Sequence, residues 1–121
     1  MGSQSMKNDL ELIKVMLDYC EYIESDLMTL ENDIELLFEN KMAQRSISFS
    51  LEQIGEHAKN LSNELKSKYD NIEWKKPSGM RDVIAHGYDS IDLDEIWNTI
   101  NNDIPVLKRS LIEIKDDLTR N

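Results

Sequence analysis

The sequence predicts an all-α protein, an up-and-down helical bundle of three long helices and two short ones. Three observations carry this reading. Apolar residues recur at three- and four-residue spacing over long stretches, and no stretch alternates with the two-residue period of a strand. Gly (4) and Pro (2) are scarce in 121 residues, which leaves few turns and favours long helices. Hydrophobic residues make up 40% and charged residues 31%, enough apolar material for one core in one domain and too much for a disordered chain.

Met1–Ser5 (MGSQS) read as a cloning remnant ahead of Met6, and residues 6–121 as a single domain. From about Asn8 to Leu30, Leu10, Ile13, Leu17 and Cys20 form a helical stripe that Met16, Ile23, Leu27 and Leu30 widen. Ile34, Leu37 and Phe38 predict a short second helix. From about Met42 to Lys68, the series Ile47, Leu51, Ile54, Ala58, Leu61, Leu65 has the alternating four-three spacing of a left-handed bundle seam. Gly55 and Ala58 on or beside that seam admit a close neighbouring backbone. Tyr69 to Ser78 reads as a connection, followed by a short helix over Met80 to Ala85 that Gly87 is placed to end.

Asp92 with Glu95 three residues later has the form of a capping box. The last helix then runs through Trp97, Ile100, Ile104, Leu107, Leu111, Ile114 and Leu118. Pro105 lies inside it, removes one backbone hydrogen bond and clashes with the carbonyl of Asn101, so a kink is predicted there.

Cys20 is the only cysteine and His57 and His86 the only histidines, which gives no disulfide framework and too few ligands for a zinc site. No cofactor or metal is expected. No apolar run reaches the length of a membrane span and no secretory signal is visible, so a cytoplasmic protein without a membrane partner is expected. Cys20, on the first helical seam, is expected in the core, and Trp74 and Trp97 as packing anchors.

The net charge of −10 argues at first against nucleic acid, but the charge is unevenly spread. Residues 1–39 carry −8, residues 40–88 carry +2 and residues 89–121 carry −4. The basic middle third holds Gly79-Met80-Arg81-Asp82-Val83-Ile84-Ala85-His86-Gly87-Tyr88. A fixed cation, a group that titrates near neutral pH and a phenol are the parts needed to work on a phosphodiester.

In an ideal helix, residues five apart diverge by about 140°, so Arg81 and His86 would not meet on one small group. Either Gly87 ends the helix and frees His86 to swing, or a two-fold dimer brings Arg81 of one subunit to His86 of the other. Asp82 and His86, four apart, share a face, and the carboxylate can orient the imidazole. One chemistry that follows is metal-free cleavage of RNA. His86 takes the 2′-hydroxyl proton or protonates the leaving 5′-oxygen, Arg81 holds the phosphate, and the products are a 2′,3′-cyclic phosphate and a 5′-hydroxyl. The plainer reading is a surface Arg81–Asp82 ion pair with His86 at a helix C-terminus. Glu56 either faces the same cleft and supports Arg81 or is an exposed helix carboxylate. Lys75 and Lys76 either contact phosphates or solvate a loop. His57 reads as a surface or helix-packing residue.

With these residues in view, the chain resembles the HEPN superfamily, and within it the HepT-like toxins. The match is Arg81-x4-His86-x-Tyr88 with polar Asp82 after the arginine, flanked by Ile54-Gly55-Glu56-His57-Ala58-Lys59, Trp74, Gly79-Met80, Trp97 and Asp103-Ile104-Pro105. It runs from about Met42 to Leu118; the first 40 residues match in helical character only. Pro77-Ser78 ahead of Gly79, and His57 where a small residue is usual, depart from the pattern. The resemblance implies a helical homodimer with the motif in a cleft at the dimer interface. It implies a metal-independent ribonuclease that is the toxin of a prokaryotic toxin–antitoxin pair. Its partner would be an MNT-type nucleotidyltransferase that transfers AMP to Tyr88. A charged nucleotide there would occupy an RNA cleft and repel its substrate. The alternative from another class is a non-catalytic helical subunit that binds such a nucleotidyltransferase.

Overall fold

The computed structural model describes residues 2–80 and 92–120, and these form helices joined by turns, with no strand among them. In chain order they are α1 (Gly2–Thr29), α2 (Ile34–Glu39), α3 (Lys41–Asn60), α4 (Asn63–Lys68), α5 (Lys75–Gly79), α6 (Leu93–Asn98), one turn of π-helix (Thr99–Asp103) and α7 (Ile104–Thr119). The long elements are α1, α3 and the composite Leu93–Thr119, as the periodicity predicts.

The core is the set of stripes on these long elements. Ile13, Met16, Cys20 and Ile23 from α1 are fully buried, as are Ile47, Leu51, Ile54 and Ala58 from α3. α1 packs along α3 on one side and α7 on the other, and α5 rests on α3. Leu107, Leu111 and Ile114 close the third face. Each long helix buries one face because its apolar side chains fall three or four apart, and burial of such side chains contributes about 1.5–3 kcal/mol each.

Local chemistry sets the ends. α1 stops with Glu31 and Asn32 at positive φ (54° and 50°). There the Asn32 N–H donates to the Leu27 carbonyl (2.9 Å) and the Glu31 N–H to the Met28 carbonyl (3.0 Å), the paired bonds of a Schellman turn. Asp33 then caps α2 through the Glu35 N–H, and Asn40 caps α3 through the Ala43 N–H, both at 2.9 Å.

Two sequence expectations are corrected. The helix expected over Met42 to Lys68 is two helices, broken at Leu61 and Ser62. Leu61 is extended, and the Ser62 hydroxyl accepts the Leu65 N–H to start α4 anew. Leu61 and Leu65 stay buried across the break, which is why the seam pattern runs through it. The connection expected over Tyr69 to Ser78 contains the one-turn helix α5. The helix expected over Met80 to Ala85, and its end at Gly87, lie almost wholly outside the described residues.

Where the sequence predicts a kink at Pro105, the helix makes a π-turn just ahead of the proline. The Ile104 N–H bonds to the Thr99 carbonyl, five residues back, and α7 begins with the proline in its first turn, where the missing N–H costs least. Asp92 caps α6 as expected, its carboxylate accepting the Glu95 N–H at 3.1 Å. Ile96, not Trp97, is the deeply buried residue of α6, while Trp97 is half-buried against the core.

Candidate functional site

Arg81, Asp82, His86 and Tyr88 lie outside the described residues. Their two anchors lie within them. Met80, immediately before Arg81, is only 3% exposed and is fixed in the core. Downstream, the Asp92 cap restarts the chain as α6. The motif thus leaves a buried methionine and returns to a capped helix.

The approach to Met80 is built from the Tyr69–Gly79 segment. The Trp74 indole N–H donates to the Tyr69 carbonyl at 3.1 Å, and the ring packs on the core, the anchoring role expected of it. The Tyr69 hydroxyl donates to Asp117 on α7 at 2.7 Å. Burial and that bond push the phenol from 10.0 up to about 12. Asp117, which also pairs with Arg120, is held below the usual carboxylate range, chiefly by the Tyr69 hydrogen bond. These contacts fix the loop that carries α5.

Lys75 and Lys76 lie on α5 and are both exposed, beside the chain that leads into the motif. Lys76 makes a long ion pair with Glu73 at 3.7 Å, exposed enough to be worth little. Glu56 is half-buried on α3 next to buried Gly55, and its side chain is engaged rather than free. His57 bonds through Nδ1 to the Gln53 carbonyl at 2.7 Å, which makes Nδ1 the donor, and its ring lies 6.5 Å from that of Tyr19. That is a helix-packing role, as expected. Cys20 is fully buried in the core, where desolvation pushes its thiol up to about 12.

A groove of about 450 Å³ opens beside Met80, lined by residues of the Asn71–Met80 stretch and by Asp103, Val106, Leu107 and Ser110. Lys76 and Met80 are in its wall, so it adjoins the chain entering the motif. The sequence marked Asp103 only as a flank. The groove draws on the α5 loop, the π-turn and α7, and no local pattern announces such a junction. Among the described residues, no cluster of His, Cys, Asp and Glu has the make-up of a metal site, and no helix is long and apolar enough to cross a membrane.

The family profile described as "Ribonuclease HepT-like" matches residues 16–114, a span that contains α3, the whole motif and most of α7. A protein of Methanocaldococcus jannaschii named "Gamma-glutamylcyclotransferase and putative RNase" is 32% identical over 117 residues, 96% of this chain and 52% of that protein. This chain therefore spans about half of that relative. A Caldanaerobacter subterraneus protein named "Putative RNase" is 32% identical over 109 residues, 90% of this chain and 96% of its own length. A Thermococcus cleftensis protein named "Probable ribonuclease HepT" is 34% identical over 96 residues, covering 75% of this chain and 87% of its own. No solved structure matches. The profile match across most of the chain and the likeness to full-length relatives agree with the all-α bundle: the chain belongs to the HepT-like family of the HEPN superfamily.

Proposed function

We propose that this protein is a metal-independent endoribonuclease, the toxin of a prokaryotic toxin–antitoxin pair, and that its site is the Arg81–His86 motif in a homodimer cleft. The observation that carries the reading is the family match over residues 16–114, which encloses the motif, together with relatives named as ribonucleases. Exposed Lys75 and Lys76 ahead of Arg81 favour an anionic polymer. The aromatic patch in which exposed Tyr22 and Phe49 both pack edge-on against Tyr19 suits a second subunit.

In the proposed reaction the RNA 2′-hydroxyl loses its proton and its oxygen attacks the adjacent phosphorus. The bond from phosphorus to the 5′-oxygen breaks, and that oxygen takes up a proton. One fragment ends in a 2′,3′-cyclic phosphate and the other begins with a 5′-hydroxyl. His86 moves the proton, Asp82 orients the imidazole, and Arg81 stabilises charge building on the non-bridging oxygens. Glu56 supports Arg81, and Lys75 and Lys76 hold flanking phosphates. An MNT-type nucleotidyltransferase antitoxin transfers AMP to Tyr88, placing negative charge where RNA would lie.

The test is cleavage of a mixed RNA pool in EDTA, with wild type shown by intact mass to be unmodified, beside Arg81→Ala and His86→Ala. Cleavage by wild type alone, leaving cyclic-phosphate ends, is the expected result. A folded, unmodified wild type that cuts nothing overturns the reading and favours a non-catalytic subunit for the nucleotidyltransferase. With antitoxin and ATP, wild type gains the mass of AMP and goes silent, whereas Tyr88→Phe stays active.

A further inference from the structure

The groove beside Met80 offers a chemistry that bond cleavage does not use. At about 450 Å³ it falls in the size range of small-molecule sites. Met80, Val106 and Leu107 give it an apolar surface, and Val106 is 54% exposed. Asn71, Glu73, Lys76, Asp103 and Ser110 give it a polar one. Asp103 closes the π-turn, where the wider helical path sets its side chain in the groove lining, and it makes no hydrogen bond or ion pair among the described residues. One-turn π-segments of this kind recur at functional sites.

We infer that this groove takes a base of the RNA next to the cut, that guanine is preferred, and that Asp103 determines the preference; this rests on the ribonuclease reading above. The wall carries two carboxylates, Glu73 and Asp103, against the one ammonium of Lys76, which is itself paired with Glu73, so the net charge favours the uncharged part of the nucleotide as the occupant. An apolar surface buries the face of a flat base. The base must then satisfy an acceptor-only group. Guanine alone presents two adjacent donors, N1–H and N2–H, on one edge, matching the two oxygens of a carboxylate, while the Asn71 amide can donate to O6. Uracil offers one N–H, and cytosine and adenine offer an amino group beside an acceptor nitrogen. With its base in the groove, a nucleotide would carry its phosphate toward the ammonium of Lys76 in the same wall.

Two measurements test this independently. In the first, cut sites in a random RNA pool are mapped for wild type and Asp103→Asn. Wild type is expected to favour guanosine at one fixed position beside the cut, and Asp103→Asn to reduce that preference roughly ten- to hundredfold, the scale of a lost bidentate base contact. An unchanged cut pattern overturns the assignment. In the second, GMP and UMP are titrated into the protein by NMR, which needs no cleavage. GMP is expected to shift the amides around Asn71 and Asp103 to Leu107, and UMP is not. Asp103→Asn, or Val106→Ala at an exposed position that does not threaten folding, weakens the GMP response. Equal response to both nucleotides, or shifts elsewhere, overturns the groove as a guanine site. A protein that binds GMP here yet cuts no RNA overturns the ribonuclease reading and leaves the groove assignment standing.

Discussion

Asp9 on α1 holds Ser62, 53 residues away, by two bonds at once: its carboxylate accepts the Ser62 N–H at 2.9 Å and the Ser62 hydroxyl at 2.5 Å. Asp9 is 2% exposed, so these partners stand in for water. The same hydroxyl oxygen accepts the Leu65 N–H and starts α4. Asp9→Ala leaves a part-buried N–H unsatisfied and loosens the cap, and is expected to cost about 2 kcal/mol. Ser62→Ala costs less, because the backbone bond to Asp9 remains. Urea denaturation of the two variants checks the order; equal losses would show that the backbone bond contributes nothing.

The Tyr69–Asp117 bond makes stability depend on pH at both ends of the scale. The raised phenol contributes stability that is complete below 10.0 and is lost as pH rises toward about 12. The lowered Asp117 carboxyl contributes stability present above 3.8 and lost as pH falls through its folded value. Tyr69→Phe is expected to cost about 1 kcal/mol at neutral pH and to flatten the alkaline limb. Denaturation midpoints between pH 3 and 11 read this directly, and an alkaline limb that survives in the variant would assign it to another group.

Cys20 has no solvent-accessible surface, and its thiol pKa is pushed up to about 12, first by burial and then by Glu24. Thiolate, the reactive form, is scarce and shielded. A disulfide exchange reagent at pH 8 is expected to leave the folded protein untouched and to label it completely in denaturant. Rapid labelling without denaturant would mean that α1 and α7 part easily.

Gly79 ends α5 with no atom of the described residues within 4 Å of the position a Cβ would take. Gly79→Ala is therefore expected to stabilise the protein by up to about 1 kcal/mol, through a less flexible unfolded chain and better helix propensity. A thermal melt decides it; a clear drop would mean that the space beside Gly79 is occupied when the protein is assembled.

Much of the fold is legible in the sequence because it is written locally. Ile47, Leu51, Ile54 and Ala58 are all fully buried, and their spacing alone identifies them. The break after Asn60 is not written there, since the buried seam continues through Leu61 and Leu65 while the partner that holds Ser62, Asp9, stands 53 residues earlier in the chain. The motif residues are legible as chemistry, and they fall within the span of the family match. The groove was hidden because Asn71, Met80 and Asp103 come from separate stretches that share no pattern.

Ile96, Ile100 and Ile104 are each 1% exposed and stand four apart, then four again, a spacing that drifts about 40° per step around an α-helix. The π-turn absorbs that drift, much as a leap day keeps a calendar aligned with its seasons. Shortening Thr99–Asp103 by one residue would not yield a tidier helix. It would rotate α7 by about 100° against α6, so that the two halves could no longer face the same core. The spare residue is what lets one continuous rod serve two phases, and Asp103 is where the phases meet.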